Sequence, residues 1–231
     1  MGIHLRLSLP DRPGALARVT QAIALAGADI IHVNVLEAQA GRAVDDFRLR
    51  WSGRDDSELT DAVAGCPGVR VIACRRTRWL HDGRPDLDLL TYLLAAPQRG
   101  IETLVDMAPA ALDADWAELR TPSPRTPVLY GTEHPPRDDA APADMPVRAI
   151  GKQGASSSAL AYLPLIALRW VLVLGRDEGP PFLRSELVHA ERVIGLALDL
   201  LAATLRDRAE SISELTANLA LARSRAVGAA G

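Results

Sequence analysis

The sequence predicts an α+β protein built from two successive units. Residues 3–75 contain four short runs that alternate apolar and polar side chains, with one helical run after the first and another after the third. Two helical runs and then five strand-like runs follow between residues 86 and 175. The charge changes with the pattern: residues 1–80 carry 11 basic and 9 acidic side chains, and residues 81–200 carry 11 and 17. A chain of 231 residues also fits two domains of about 100 residues each.

The first unit has the element order βαββαβ. The pattern predicts strands at 3–9, 30–36, 43–51 and 69–75 and helices at 15–26 and 55–64. Each strand has one apolar face, which in the second strand consists of Ile31, Val33 and Val35. Two helices can cover one face of a four-stranded antiparallel sheet and leave the other face polar. We therefore predict a ferredoxin-like α/β sandwich.

Two short motifs in this unit resemble those of the ACT domain, a small-molecule sensor of amino-acid metabolism. They are Asp11-Arg12-Pro13-Gly14 between the first strand and the first helix, and Gly27-Ala28-Asp29-Ile30 at the start of the second strand. The resemblance covers residues 1–76 and implies a homodimer that binds a small amino acid where two copies meet. It implies a ligand-binding turn made of Asp11, Arg12, Pro13, Gly14, Ala15 and Leu16. It also implies that a neighbouring chain supplies Asp29, Ile30, His32 and Asn34.

The chemistry of these residue types agrees with such a site. A helix N-terminus exposes unpaired N–H groups and the positive end of the helix dipole, which suits a carboxylate. Asp11 or Asp29 would then meet the ligand's ammonium group, and two acids there favour neutral or basic amino acids. An alternative is purely structural: Asp11 caps the helix, and Pro13-Gly14 shapes the turn.

The polar face of the first sheet is basic. Its side chains are His4, Arg6, His32, Arg48, Arg50 and Arg70. One interpretation is a surface for an anion or a nucleic acid. The preferred interpretation is a solvated face, or a docking face for the acidic second unit, because no aromatic side chain lies between the arginines. The formal net charge of -3 also argues against a nucleic-acid partner.

The second unit is predicted to follow a polar linker at 77–85. It has helices at 86–95 and 99–108, strands at 114–120, 127–131, 147–151, 159–165 and 169–175, and a loop at 132–145. A long helix begins near Pro180 and runs toward residue 222. This order predicts an α/β/α layout around an antiparallel sheet, with the domain at 86–205, a helical extension at 206–222 and a disordered tail at 223–231.

The end of the second unit resembles the end of a GAF domain. The resemblance rests on Tyr162-Leu163-Pro164-Leu165, on Trp170–Gly175 and on Phe182 before an acidic helix start. It implies a second small-molecule pocket, with Tyr130, Arg148 and Tyr162 as lining candidates; the alternative is that all three are ordinary sheet residues. This unit has no cysteine, which excludes a thioether-linked bilin.

The last helix carries an apolar heptad stripe. Leu187, Ile194 and Leu201 recur every seven residues, and Leu198 begins a second set offset by four. We expect its first half to pack on the second sheet. The half beyond Leu205 would need a cover, either the same helix of a second chain or the helix at 86–95; the alternative is a frayed amphipathic tail.

No catalytic set stands out in the sequence. Ser156-Ser157-Ser158 lacks the Gly-x-Ser-x-Gly elbow, Gly151–Gly154 is not a P-loop, and the five histidines show no metal-binding spacing. The two cysteines make neither a disulfide framework nor a zinc site. We therefore expect no enzymatic activity, no cofactor and no metal.

The N-terminus has no signal-peptide pattern, and the most apolar stretch, 159–175, is interrupted by Pro164 and Arg169. We expect a cytoplasmic protein without a membrane partner. Only one of the 26 basic residues is lysine, a bias typical of a GC-rich bacterial genome. The sequence predicts an amino-acid-sensing regulatory protein and leaves room for an unidentified protein partner. Two alternatives stay open, a ligand-free dimeric scaffold and an enzyme of amino-acid metabolism with its active site in the second unit.

Overall fold

The structure is a computed structural model of the chain, and it describes residues 2–77, 83–123, 128–132, 140–153, 158–177 and 179–204. It contains two antiparallel sheets, each with its own apolar core. The predicted helix beyond residue 205, the extension at 206–222 and the tail at 223–231 lie outside the described residues.

The first domain confirms the predicted βαββαβ order. Its elements are β1 (Gly2–Pro10), α1 (Ala15–Leu25), β2 (Asp29–Gln39), β3 (Arg42–Arg50), α2 (Asp56–Ala64) and β4 (Arg70–Thr77). The sheet order is β2-β3-β1-β4. β1 and β3 are the central strands and pair with each other. Their register places polar side chains opposite one another on the sheet face away from the helices.

The core of this domain lies between the sheet and the two helices. The alternating apolar residues of β1 are all buried there, with Val19 and Ile23 of α1 and Leu59 and Val63 of α2. Val35 lies opposite Asp45 on the helix side of the sheet, but it is not part of the buried core as predicted, since its side chain is 56% exposed. β2 is an edge strand with two register shifts, and α1 does not cover its far end.

The second domain follows after a linker that is slightly shorter than predicted, because β4 extends to Thr77 and α3 begins at Pro85. Residues 78–82 of this linker lie outside the described part. The elements are α3 (Pro85–Ala95), α4 (Gly100–Ala111), β5 (Trp116–Arg120), β6 (Val128–Gly131), β7 (Ile150–Gln153), β8 (Ala159–Leu165), β9 (Trp170–Arg176) and α5 (residues 184–204). The sheet order is β6-β5-β9-β8-β7.

The helices of the second domain do not form the predicted α/β/α layout. Within the described ranges, α3, α4 and α5 all pack on one face of the sheet, in a single apolar core. The other face carries a smaller cluster with Trp116 and Tyr162, and Ala140 and Met145 from the 140–146 segment pack against it. The two faces arise because β8 and β9 carry apolar side chains on both sides of the sheet, and β5 adds Trp116 to the second face.

The first part of the last helix packs as the heptad stripe predicts. Ile194 and Leu201 are buried in the core beneath the helices, and Leu187 and Leu198 pack at its margin. Among the described residues, no helix is both long enough and apolar enough to cross a bilayer.

Candidate functional site

The turn between β1 and α1 ends at a glycine in the left-handed backbone region. Gly14 has φ +83° and is the N-cap of α1, a conformation that glycine adopts without the steric cost of a Cβ. Of the other residues predicted to form the site here, Ala15 is buried. The remaining ones are exposed: Asp11, Arg12, Pro13 and Leu16. The predicted turn therefore forms an accessible corner of the first domain.

No side chain caps the N-terminus of α1, and its first turn contains no acidic residue. The backbone N–H of Asp11 donates to the carbonyl oxygen of Gly41 at 2.9 Å, which holds the turn against the β2–β3 hairpin. The capping role left open for the Asp11 side chain is therefore wrong. An uncapped helix N-terminus presents N–H groups and a positive dipole end, both of which suit a carboxylate.

The predicted residues of β2 are divided between the two faces of that strand. Ile30 packs at the margin of the core, and Asp29 forms an exposed ion pair with Arg50 at 3.2 Å. His32 and Asn34 lie on the same face as Asp29, opposite to Ile30, and line a cavity between the two domains, to which residues 11–16 do not contribute. Within one chain, His32 and Asn34 are not part of the α1 corner. That a neighbouring chain supplies them to the ligand site stays a prediction.

Charged side chains from both domains meet at the polar face of the first sheet. The register places Arg6 of β1 opposite Asp46 of β3, and the guanidinium donates to the two carboxylate oxygens at 2.7 and 2.8 Å. The same guanidinium donates to Glu186 of α5 at 2.8 and 3.1 Å. Arg6 is 1% exposed, so the domains are joined by a buried, charge-assisted contact.

Glu186 is shared with a second buried arginine. Arg176 of β9 donates to Glu186 at 2.5 Å, to the Asp113 carboxylate at 3.2 Å and to the Asp113 backbone oxygen at 2.7 Å. Its guanidinium also lies 3.9 Å from the centre of the Phe182 ring, a cation–π contact. Glu186 also accepts a hydrogen bond from the backbone N–H of Leu183 at 2.7 Å. This bond satisfies a backbone donor at the N-terminus of α5.

Asp113 links this arrangement to the edge of the first sheet. It follows α4 with φ 51°, a left-handed conformation that Asp tolerates better than most residues. Its carboxylate lies 3.5 Å from His4, 3.3 Å from Arg75 and 3.8 Å from Arg48, all of the first domain. Burial alone would raise the pKa of Asp113, but the charges of His4 and of three arginines hold it well below its usual range.

Asp46 is the matching acid on the first domain. His4 Nε2 lies 3.1 Å from Asp46 Oδ2, the same oxygen that accepts a hydrogen bond from Arg6 Nη2. Burial alone would raise the pKa of Asp46, but hydrogen bonds from His4 and Arg6 lower it to about 2. Both acids are therefore ionised at neutral pH, and we call the set Arg6, Asp46, Glu186, Arg176, Asp113, Arg75 and His4 the interdomain ion-pair network.

Three members of this network are grouped closely enough to hold a metal ion. His4, Asp46 and Asp113 offer ligand atoms that all lie within 4.8 Å of one another. The same carboxylates already accept hydrogen bonds from Arg6 and Arg176, so a metal cation would sit among guanidinium groups. This favours an ion-pair network over a metal site.

The three candidates in the second domain lie in different environments. The Tyr162 side chain lines a cavity of about 320 Å³ with Met145, Ile150 and Lys152. The Tyr130 hydroxyl is 3.0 Å from both carboxylate oxygens of Asp106 on α4, and Arg148 is exposed. Of the three, only Tyr162 lines this cavity, and a ligand-binding role for each stays a prediction.

The docking interpretation of the basic sheet face is correct for part of that face. His4 and Arg6 are buried against the second domain, whereas His32, Arg50 and Arg70 are exposed. The acidic partners in the second domain, Asp113 and Glu186, were not identified from the sequence. The only signal for them was the excess of acidic residues after residue 80, which does not name individual side chains.

The fold and its site define a class of protein: a βαββαβ domain with an accessible helix-N-terminal corner, docked through its polar face to a second α+β domain. Residues 3–50 match the sequence model of the ACT domain family. The chain therefore contains an ACT domain at these residues. No curated protein matches the chain.

Two solved structures resemble the chain at 14% sequence identity. An unknown protein from Galdieria sulphuraria matches with a TM-score of 0.31 over 55% of this chain and 75% of that one. A formyltetrahydrofolate deformylase from Pseudomonas putida KT2440 matches with a TM-score of 0.30 over 42% of this chain and 39% of that one.

Proposed function

We propose that the protein is a non-enzymatic, dimeric regulatory protein whose ACT domain binds a small amino acid. The ACT domain itself indicates a regulatory role with a small ligand. The observation that carries the finer proposal is the N-terminus of α1, which begins at Gly14 without a side-chain cap and without an acid in its first turn. The free N–H groups suit the α-carboxylate of an amino acid.

Acidic residues near this corner support the choice of ligand. Asp11 is exposed beside the α1 N-terminus, where its carboxylate can meet an ammonium group. The proposed dimer adds Asp29 of a neighbouring chain, and in this chain Asp29 is exposed and pairs only at the surface with Arg50. Two carboxylates repel the side chain of a dicarboxylic amino acid, so the ligand is neutral or basic.

The open edge of the first sheet supports the dimer. β2 is eleven residues long, and among the described strands it pairs along one side only, with β3. An unpaired edge of this length offers backbone N–H and C=O groups to another strand. Pairing with a second copy would also bring residues of two chains to one site.

The second domain is proposed to be a GAF-like sensor. A five-stranded antiparallel sheet with three helices packed on it supports this interpretation. The cavity beside Tyr162, with the prolines of the 140–146 segment at its rim, is the place for a second small ligand.

A thermal-shift screen with the twenty amino acids tests the proposal. A ligand at 100 times its Kd adds about 2.7 kcal/mol to the free energy of unfolding. We expect one or more neutral or basic amino acids to stabilise the wild-type chain and Gly27→Val, but not Gly14→Val. The two glycines are matched: they have φ +83° and +79°, lie at opposite ends of α1, and in both an added Cβ meets no atom within 4 Å.

Two outcomes of this screen would contradict the proposal. Equal ligand responses in Gly14→Val and Gly27→Val would place the site away from the α1 corner. No response of the wild-type chain to any amino acid would favour the ligand-free scaffold.

A further inference from the structure

A cavity of about 470 Å³ lies between the two domains, next to the ion-pair network. One wall is the polar face of β2 and β3, and the other is formed by the ends of α3, α4 and α5 that point toward the first domain. This volume is within the range of about 300–1,000 Å³ that small-molecule sites occupy. Neither the α1 corner nor the cavity beside Tyr162 contributes to it.

Arg48 is the arginine at this cavity whose charge is least neutralised. Its nearest carboxylate is Asp113 at 3.8 Å, which is beyond hydrogen-bonding distance. Asp113 lies closer to Arg75 and Arg176, at 3.3 and 3.2 Å, and also faces His4. Arg75 and Arg176 each have a second acidic partner, and Arg48 has none in the described part of the chain.

Other hydrogen-bonding groups in the cavity wall are also unused. His32 and Asn34 project from β2 into this space. A guanidinium and an amide on the same wall can together satisfy the oxygens of an anion.

The rest of the wall restricts the charge of that anion. Four carboxylates line the cavity: Asp46, Asp86, Asp113 and Glu186. They would repel a phosphate or a dicarboxylate, because Arg84, the other arginine of the lining, is already paired with Asp86. The apolar part of the lining, with Leu36, Ala111 and Leu112, is small and suits a short aliphatic group.

We propose that this interdomain cavity binds a small monocarboxylic acid, with its carboxylate against the Arg48 guanidinium and its short apolar part against Leu112. The planar fork of an arginine matches the two oxygens of a carboxylate. Because the walls come from both domains, the ligand contacts both and favours their docked arrangement. The site is separate from the α1 corner, so the inference does not depend on the proposed function.

Calorimetric titration of the full-length chain tests this site. The probes are a series of monocarboxylates from two to six carbons, glycine and L-alanine, with succinate and inorganic phosphate as more highly charged anions. We expect at least one monocarboxylate to bind, and succinate and phosphate not to. Arg48→Gln should weaken that binding at least tenfold, whereas Arg50→Gln should not change it. Arg50 is the matched control because it lies two residues along the same strand and does not line the cavity.

A second variant guards against a change of fold in Arg48→Gln. Ala110→Phe adds volume at the cavity wall without changing any charge, and it should also abolish binding. The inference fails if no monocarboxylate or amino acid binds, if phosphate binds as well as the carboxylates, or if Arg48→Gln binds like the wild type. An amino acid whose binding is lost in Arg48→Gln and kept in Gly14→Val would support this site and overturn the α1 site, so the two proposals fail separately.

Discussion

Arg6 and Glu186 are 180 residues apart in the chain and are joined by two hydrogen bonds of 2.8 and 3.1 Å. Arg6 also holds Asp46 of its own sheet through two further bonds, so one guanidinium serves two carboxylates. Glu186 in turn holds Arg176. The docking of the domains therefore depends on a chain of alternating charges, in which removing one member leaves its neighbours buried and incompletely paired.

Replacing Arg6 should strongly destabilise the protein. Arg6→Met keeps much of the side-chain volume but leaves Asp46 and Glu186 without their main shared partner. We expect a loss of about 3–5 kcal/mol in the free energy of unfolding, measured by urea denaturation. Arg50→Met is the control and should change stability by less than about 1 kcal/mol, because the Arg50–Asp29 pair is exposed. Similar losses in the two variants would mean that the network does not stabilise the docked domains.

Lowering the pH from about 4 to about 2 should reduce the free energy of unfolding. The pKa of Asp46 is lowered from 3.8 to about 2, and that of Asp113 is lowered as well. As the pH falls below about 4, the unfolded chain takes up protons that the folded chain does not yet bind, so stability present above that pH is lost toward pH 2. For Asp46 the loss is roughly 2 kcal/mol.

The comparison with Asp46→Asn isolates this contribution. The variant should be less stable than the wild type at pH 7, and the difference between them should shrink between pH 4 and pH 2, as measured by denaturation at each pH. A difference that stays constant over this range would show that Asp46 is not held ionised by His4 and Arg6.

The first domain could be predicted well from the sequence, and the interdomain contact could not. Alternation of apolar side chains is a local signal, and it predicted the strands of the βαββαβ unit to within a few residues. Whether Val35 is covered depends on which strand lies at the edge of the sheet, which a single strand's pattern does not show. The Arg6–Glu186 pair joins distant parts of the chain, so only the change in charge between the two halves indicated that the faces could dock.

Replacing glycine by alanine should have opposite effects on stability at two positions of the second domain, one in the sheet and one in α5. A Cβ at Gly175 of β9 would lie 2.0 Å from the Trp116 ring, which is buried on the neighbouring strand. We expect Gly175→Ala to destabilise the protein by about 3 kcal/mol, since the ring must shift in a packed core. Gly195→Ala in α5 meets no atom within 4 Å and should stabilise the helix by about 0.5–1 kcal/mol. Thermal unfolding of both variants checks the signs; a loss in neither or in both would contradict this packing.

Asp45 is an ionisable side chain on the helix-covered face of the first sheet. It is 2% exposed, lies opposite Leu7 and Val35 in the strand register, and one of its carboxylate oxygens has no hydrogen-bond donor in the described part of the chain. Burial raises the pKa of Asp45, and the neighbouring charges of Asp46 and Asp11 raise it further. A raised pKa means that the group favours folding at low pH and that this contribution is lost as the pH rises through the folded pKa.

Asp45→Asn should therefore make the protein more stable at neutral pH, by about 1 kcal/mol, because it removes a buried and poorly paired charge with little change of shape. The gain should shrink as the pH is lowered toward 4, because the raised pKa lets the wild-type carboxyl bind a proton at a higher pH than an ordinary aspartate does. Asp55→Asn is the control: Asp55 is exposed, caps α2 by accepting from the Ser57 N–H, and Asn can keep that bond, so its stability should change little. If Asp45→Asn were less stable than the wild type at pH 7, the Asp45 charge would have to be stabilised by a partner, and an ammonium group bound at the nearby α1 corner would be the first to test.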